Sequence, residues 1–258
     1  DTRDSTDPQP LGAIEVGDPT SAAVAAEYLL DSNTTSEDFV NTRGEQPVLD
    51  LASRGLLTTL ALSGQPDAVA VAPSGAYAAI AIENERDEDL EDADGNAGLI
   101  PQAPAGTLDI VDLAGDPSEW AVRSADLTGL AETAPDDPEP EFVDINEADQ
   151  AVVTMQENNH IAVVDLASGD VVSHFSAGTV DLDGIDLSEE EVGPQENGFI
   201  EFVESREGIR REPDAVKWID DDSFATANEG DYEDADGEEG GSRGFTIFNV
   251  DGTVEYDS

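Results

Sequence analysis

The chain has 258 residues, with 61 Asp and Glu against 10 Lys and Arg, and a net charge of −51. No basic patch is present to neutralise phosphates, which excludes generic nucleic-acid binding, and no apolar run approaches the ~18 residues of a membrane-spanning helix. Zero cysteines exclude disulfides, thiol catalysis and zinc–thiolate sites.

In chain order, residues 1–10 read as a flexible segment and 11–258 as one repeat domain. Residues 13–17 (Ala-Ile-Glu-Val-Gly) read as the last strand of an earlier unit. A first unit follows Pro19, with strands expected at 21–25, 28–32, 48–51 and 56–60. A second opens on Pro66-Asp67-Ala68-Val69, turns at 73–75, and continues through strands at 77–82 and 107–113. A third runs from Pro140 through 140–145, 151–155, 161–166 and 171–175. A fourth repeats Pro213-Asp214-Ala215-Val216, then has strands at 224–227, 245–250 and 253–256.

These runs are short, rich in Val, Ile, Ala and Thr, and bounded by Gly, Pro, Asp and Ser, which is the signature of strands. The opening prolines stand at 66, 140 and 213, a period of about 73 residues, and a fixed period specifies a repeat architecture. Four antiparallel strands per repeat make a propeller blade. The fold expected is an all-β propeller of about four blades plus an edge strand. With no initiating Met and a stop directly after a strand, the chain reads as part of a larger ring rather than a closed four-bladed one. Aromatics are few, so Trp120, Trp218 and the phenylalanines are expected to anchor packing between blades.

Self-repulsion at this charge opposes a compact state in dilute buffer. Molar salt shortens the Debye length to ~3 Å and screens it. The composition therefore points to an extreme halophile. An acidic disordered chain is the rival reading, disfavoured because the acids interrupt apolar strands instead of replacing them.

The units differ most in the link from their second to third strands. It is short at 156–160 and long at 83–106 and 228–244; both long links carry Glu-Asp-Ala-Asp-Gly, at 91–95 and 233–237, and a third long acidic link, 176–212, follows a fourth strand. Long loops on a rigid scaffold commonly carry function. Hard cations such as Ca²⁺ take carboxylate, amide and carbonyl oxygens. One candidate ligand group is Glu83, Glu85, Asp87, Asp92 and Asp94; a second is Glu229, Asp231, Asp234 and Asp236; Glu157 and Asn158 take the matching position between them. Neither loop fits the EF-hand spacing, and a solvated acidic surface is the other reading of the same residues. His160 and His174 are expected to be structural, since no Gly-x-Ser-x-Gly elbow accompanies them. Residues 240–244 (Gly-Gly-Ser-Arg-Gly) lack the phosphate-loop pattern and read as a turn. Arg243 and the group Arg206, Arg210 and Arg211 read as partners for nearby acids, or as groups that orient an anion.

Three blocks of sequence resemble one family. They are 65–71 with 79–86 and 104–112; 138–144 with 156–160; and 211–214 with 225–231 and 241–248. Together they look like the secreted β-propellers called choice-of-anchor I or phytase-like (esterase-like) proteins, often labelled alkaline phosphatase. The acidic replacements point to a haloarchaeal member. The resemblance implies an exported, surface-anchored propeller on a halophile. It implies Ca²⁺-assisted hydrolysis of a small phosphoester or ester. A single lysine, Lys217, is a departure that argues against polyanionic substrates unless bound cations bridge them. The rival function is a non-catalytic surface propeller that binds a protein partner for adhesion or assembly.

Overall fold

The computed structural model describes residues 6–7, 12–87, 102–185, 202–230 and 243–257. Four four-stranded antiparallel sheets follow one another, each in simple meander order. The first holds β1 (Pro19–Ala25), β2 (Tyr28–Thr34), β3 (Gly44–Asp50) and β4 (Gly55–Ala61). The second holds β5 (Pro66–Val71), β6 (Tyr77–Ile82), β7 (Thr107–Asp112) and β8 (Val122–Asp126). The third holds β9 (Val143–Ile145), β10 (Gln150–Met155), β11 (His160–Asp165) and β12 (Val171–Ser176). A two-stranded ribbon, β13 (Thr179–Ile185) and β14 (Glu204–Arg210), precedes the fourth sheet of β15 (Pro213–Trp218), β16 (Ser223–Asn228), β17 (Gly244–Asn249) and β18 (Val254–Asp257). The expected propeller is therefore the fold. The inner strands β1, β5, β9 and β15 lie side by side around the axis.

The strands alternate because each sheet buries two faces. In β6, Ala78, Ile80 and Ile82 point to the first sheet, while Ala79 and Ala81 point to the third. In β10 and β11, Ala151, Val153, Met155, Ala162 and Val164 meet the second sheet, and Val152, Ile161 and Val163 meet the fourth. Three apolar seams result, one between each successive pair of sheets. Trp120 lies in the first, edge-on to Tyr28 at 5.5 Å; Trp218 lies in the third, edge-on to Phe224 at 5.2 Å. Among the described residues no apolar cluster joins the fourth sheet to the first. The far face of the fourth sheet instead carries Phe245 stacked on Tyr256, both about half exposed.

The opening prolines have a steric seat. Gly44, at the start of β3, lies against Pro66, and Gly106, just before β7, lies against Pro140. A Cβ on Gly106 would stand 2.5 Å from Ile82 O, Pro138 O and the Pro140 ring alike, and two of those three are backbone atoms. Asparagines then tie each turn to a chain entering an inner strand. Asn84 Oδ1 accepts Gln65 N–H at 2.8 Å, Asn158 Oδ1 accepts Glu139 N–H at 2.9 Å, and Asn159 Oδ1 accepts Glu212 N–H at 3.0 Å. Asn84 and Asn159 adopt left-handed backbone (φ 52° and 48°), which asparagine tolerates better than most residues.

Three expectations are corrected. Residues 13–17 form no strand; they run irregularly beside β2, where Val16 O accepts from the Asn33 side chain. Ile14 and Val16 pair with no strand among the described residues. Residues 176–212, read as an acidic link, contain the β13–β14 ribbon, in which Val180 pairs with Ile209. The third strand of the first sheet begins at Gly44, four residues before the apolar run that suggested it.

Substituting Gly106→Ala should overpack the second-to-third junction and cost about 1–3 kcal/mol, read as a lower denaturant midpoint with the fold retained. An unchanged midpoint would show that the proline seat contributes nothing.

Candidate functional site

The residue after the opening proline stands at the head of an inner strand in each of three successive sheets: Asp67 in β5, Glu141 just before β9, and Asp214 in β15. Because these strands line the axis, the three carboxyls converge there. Glu83, directly after β6, joins them; its backbone N–H donates to Gln65 O at 3.0 Å. All four side chains are half-buried. None forms an ion pair with a described basic residue. Burial, reinforced by neighbouring acids, pushes Asp67 up to about 6, with Asp214 and Glu85 as the neighbours. The same causes push Glu83 up to about 8 and Glu141 up to about 10. Burial also raises Asp214.

The sequence candidates divide around this mouth. Glu83, Glu85 and Glu157 lie close enough to the axial acids to raise their pKa values. Glu85 is exposed and accepts from Gln65 Nε2 at 3.2 Å. Glu229 accepts from Gln156 Nε2 at 3.2 Å and lines an open pocket of about 420 Å³ with Asp214, Asn228 and Arg243. Asp87 turns toward Gln102, whose Oε1 accepts its N–H at 3.3 Å. Asn158 is buried and its amide is already bonded, to Glu139 N–H and to the carbonyls of Asp137 and Thr133. Its place in the repeat explains that role as a turn latch. Asp92, Asp94, Asp231, Asp234 and Asp236 lie outside the described residues.

Beside the mouth, Arg86 is a buried hub. Its guanidinium pairs with Asp137 (Nε to Oδ2, 3.2 Å), Glu139 and Glu157, and its backbone N–H donates to Glu139 Oε2 at 3.1 Å. One cation thus serves three carboxyls. Asp137 is raised, first by burial, against the lowering effect of Gln102 N–H and Arg86.

The donors at the mouth are all oxygen, which suits Ca²⁺ rather than a thiophilic ion. Among the described residues, however, no three His, Asp or Glu side chains are gathered as a ready-made metal shell. The histidines are elsewhere, bonded to each other across β11 and β12 at 3.1 Å. Burial, then the neighbouring His174, lowers His160 to about 4.

Removing Arg86 as Arg86→Met should cost about 3–5 kcal/mol, because it strands buried carboxylates without a counter-charge; a loss below that range in chemical denaturation would show that the hub is solvent-screened. The axial acids set a pH dependence of definite sign. Their folded pKa values exceed the ordinary 4.5 of Glu, so the folded state holds protons that the unfolded chain releases. This contribution is full below about pH 4.5 and is lost as pH rises through about 8 for Glu83 and about 10 for Glu141. Denaturant midpoints should fall over that window, and the Glu83→Gln, Glu141→Gln double variant should flatten the slope.

The structure and sequence have clear likenesses. A chain of Kuenenia stuttgartiensis hydrazine synthase superposes with a TM-score of 0.52 at 14% identity, covering 90% of this chain and 58% of that one. The WD40 repeats of RRP9 give 0.48 at 10% identity, covering 93% and 51%. This chain thus spans less than two thirds of either. These likenesses are of fold alone. No curated protein matches the sequence. The Choice-of-anchor I domain profile matches residues 1–254, essentially the full repeat array just described. With all but the end of the last strand inside that match, the chain belongs to the choice-of-anchor I family.

Proposed function

We propose that this chain is part of a cell-surface propeller whose acidic axial mouth captures a divalent cation, Ca²⁺ first, and holds small phosphoester or ester ligands through it. The observation that carries this reading is the meeting of Asp67, Glu83, Glu141 and Asp214 at the axis without a described basic partner. Carboxyls held protonated by burial and mutual repulsion are sites where a cation replaces protons. Glu85, Glu157 and Glu229 would supply further oxygens. The carboxyls must draw together to bind, so affinity is expected to be modest and pH-dependent. The family name points to anchoring at the cell surface, and the net charge of −51 fits a salt-rich medium.

Two uses of this mouth are open to one test. Bound Ca²⁺ supplies Lewis-acid polarisation of an ester and a more acidic bound water. Glu83, placed near neutrality by its surroundings, is then the residue suited to move a proton. That is the hydrolase reading implied by the phytase-like resemblance. The non-catalytic reading, surface adhesion or assembly, is favoured by the histidines: they bond to each other rather than to a described hydroxyl nucleophile.

The protein, stripped of divalent ions in molar KCl, should bind Ca²⁺ in calorimetry, and an Asp67→Asn, Asp214→Asn double variant should bind at least ~10-fold more weakly. No heat of binding in the native protein would sink the proposal. A chromogenic phosphate ester then separates the two uses. Turnover that needs Ca²⁺ and falls with Glu83→Gln supports hydrolysis, whereas binding without turnover leaves the adhesion reading.

A further inference from the structure

His160 opens β11 and His174 lies in β12, on adjacent antiparallel strands. His160 sits opposite Ser176, and Ala162 opposite His174, so the two rings are diagonal neighbours on one face of the third sheet. It is the face that carries Ala162 and Val164 toward the second sheet. His160 Nε2 and His174 Nδ1 point at each other across 3.1 Å, with ring planes tilted by 35°. His160 is buried, at 3% exposure, while His174 is exposed. The pair is thus anchored on one side and open to solvent on the other. β11 is buried along almost its whole length, so the anchored ring stands on a rigid strand.

We propose that His160 and His174 form a binding site for one transition-metal dication of the imidazole-preferring class, Cu²⁺, Ni²⁺ or Zn²⁺. Two imidazole nitrogens at ~2.0 Å from one ion lie roughly 2.8 Å apart in the cis square-planar positions that Cu²⁺ and Ni²⁺ favour and roughly 3.3 Å apart on tetrahedral Zn²⁺, and the 3.1 Å separation here falls between the two. In a plain hydrogen-bonded pair one ring must donate and the other accept. A metal instead uses a lone pair from each. For His160 that requires the proton on Nδ1, the buried nitrogen, which has no hydrogen-bond partner in the structure to fix it elsewhere. Nε2 is then left bare and directed at the opening. Two protein nitrogens fill two positions, and water or an outside ligand completes the shell from the His174 side. No third His, Asp or Glu is gathered with them among the described residues. The site is chemically distinct from the axial mouth. Imidazole suits Cu²⁺, Ni²⁺ and Zn²⁺, whereas the carboxylates suit Ca²⁺ and Mg²⁺. The affinity order should place Cu²⁺ first among the three.

The probe is Cu²⁺, added to the intact chain in molar KCl with saturating Ca²⁺ to occupy carboxylates. One Cu²⁺ per chain should bind, with nitrogen splitting from two imidazoles in its electron paramagnetic resonance spectrum. His174→Ala, an exposed position whose loss leaves the seams intact, should reduce the affinity at least ~10-fold and remove the two-nitrogen pattern. Circular dichroism of that variant checks that the sheets persist. His160→Gln supplies a second variant with the same expected loss. A Cu²⁺ spectrum without nitrogen splitting, an unchanged affinity in His174→Ala, or no stoichiometric binding would overturn the proposal. Because Ca²⁺ does not compete for imidazole, these outcomes are independent of the axial site.

Discussion

Two-sided burial governs this protein. Ile161 and Ala162 are sequence neighbours in β11, yet one is buried against the fourth sheet and the other against the second. A strand of this kind cannot be satisfied by a single partner layer, so each internal sheet must sit between two others. Small side chains make the packing possible. Ala78, Ala79, Ala81, Ala151 and Ala162 let sheets approach closely, while Trp120, Trp218, Phe224 and Phe248 fill the wider gaps in the first and third seams. Each buried large apolar side chain contributes roughly 1.5–3 kcal/mol, and the seams collect enough of them to offset the order imposed on a long, repetitive chain.

The charge follows a different logic at the surface and at the axis. Most acids are solvated, and several are held below their ordinary range by local turns. Asp38, Asp116, Asp126, Asp165, Asp220 and Asp251 each accept a nearby backbone N–H. Those carboxylates build structure while staying ionised. The axial acids do the opposite: crowding and burial favour their protonated forms. The scarce cations tie separate elements together, and two of them serve several acceptors with one charge. Arg86 gathers three carboxyls, Arg211 forks onto Asp257 and also reaches Ala177 O, and Lys217 joins β15 to Asp144 of β9.

Much of this was legible in the sequence. The period of the prolines and the four short apolar runs per unit led directly to the sheets. The ribbon of β13 and β14 was hidden because the alternation of Val180, Asp181, Leu182 and Asp183 is brief, and Gly184 with the register shift between Asp183 and Ile185 breaks it. The axial acids were visible but misassigned: Asp67 and Asp214 served as markers of the repeat, not as chemistry. Acid density is highest in the long links, which pointed to Glu83 but not to the other axial acids, because convergence depends on which strand is innermost. Asn158 shows the same lesson in reverse. It occupies the predicted position, but a turn in need of a backbone acceptor has already claimed its amide. The histidines illustrate a third limit, since a diagonal relation across two strands depends on register and not on spacing along the chain.

The glycine beneath two of the opening prolines has an evolutionary consequence. Gly44 receives Pro66 and Gly106 receives Pro140 through the same small contact, with no side-chain code to match. At these two junctions the joint is generic: a duplicated unit of this kind arrives with its own proline and presents its own glycine to the next. Arrays built this way can lengthen or shorten by whole units through recombination, and each new member meets its neighbour with a fitting already in place.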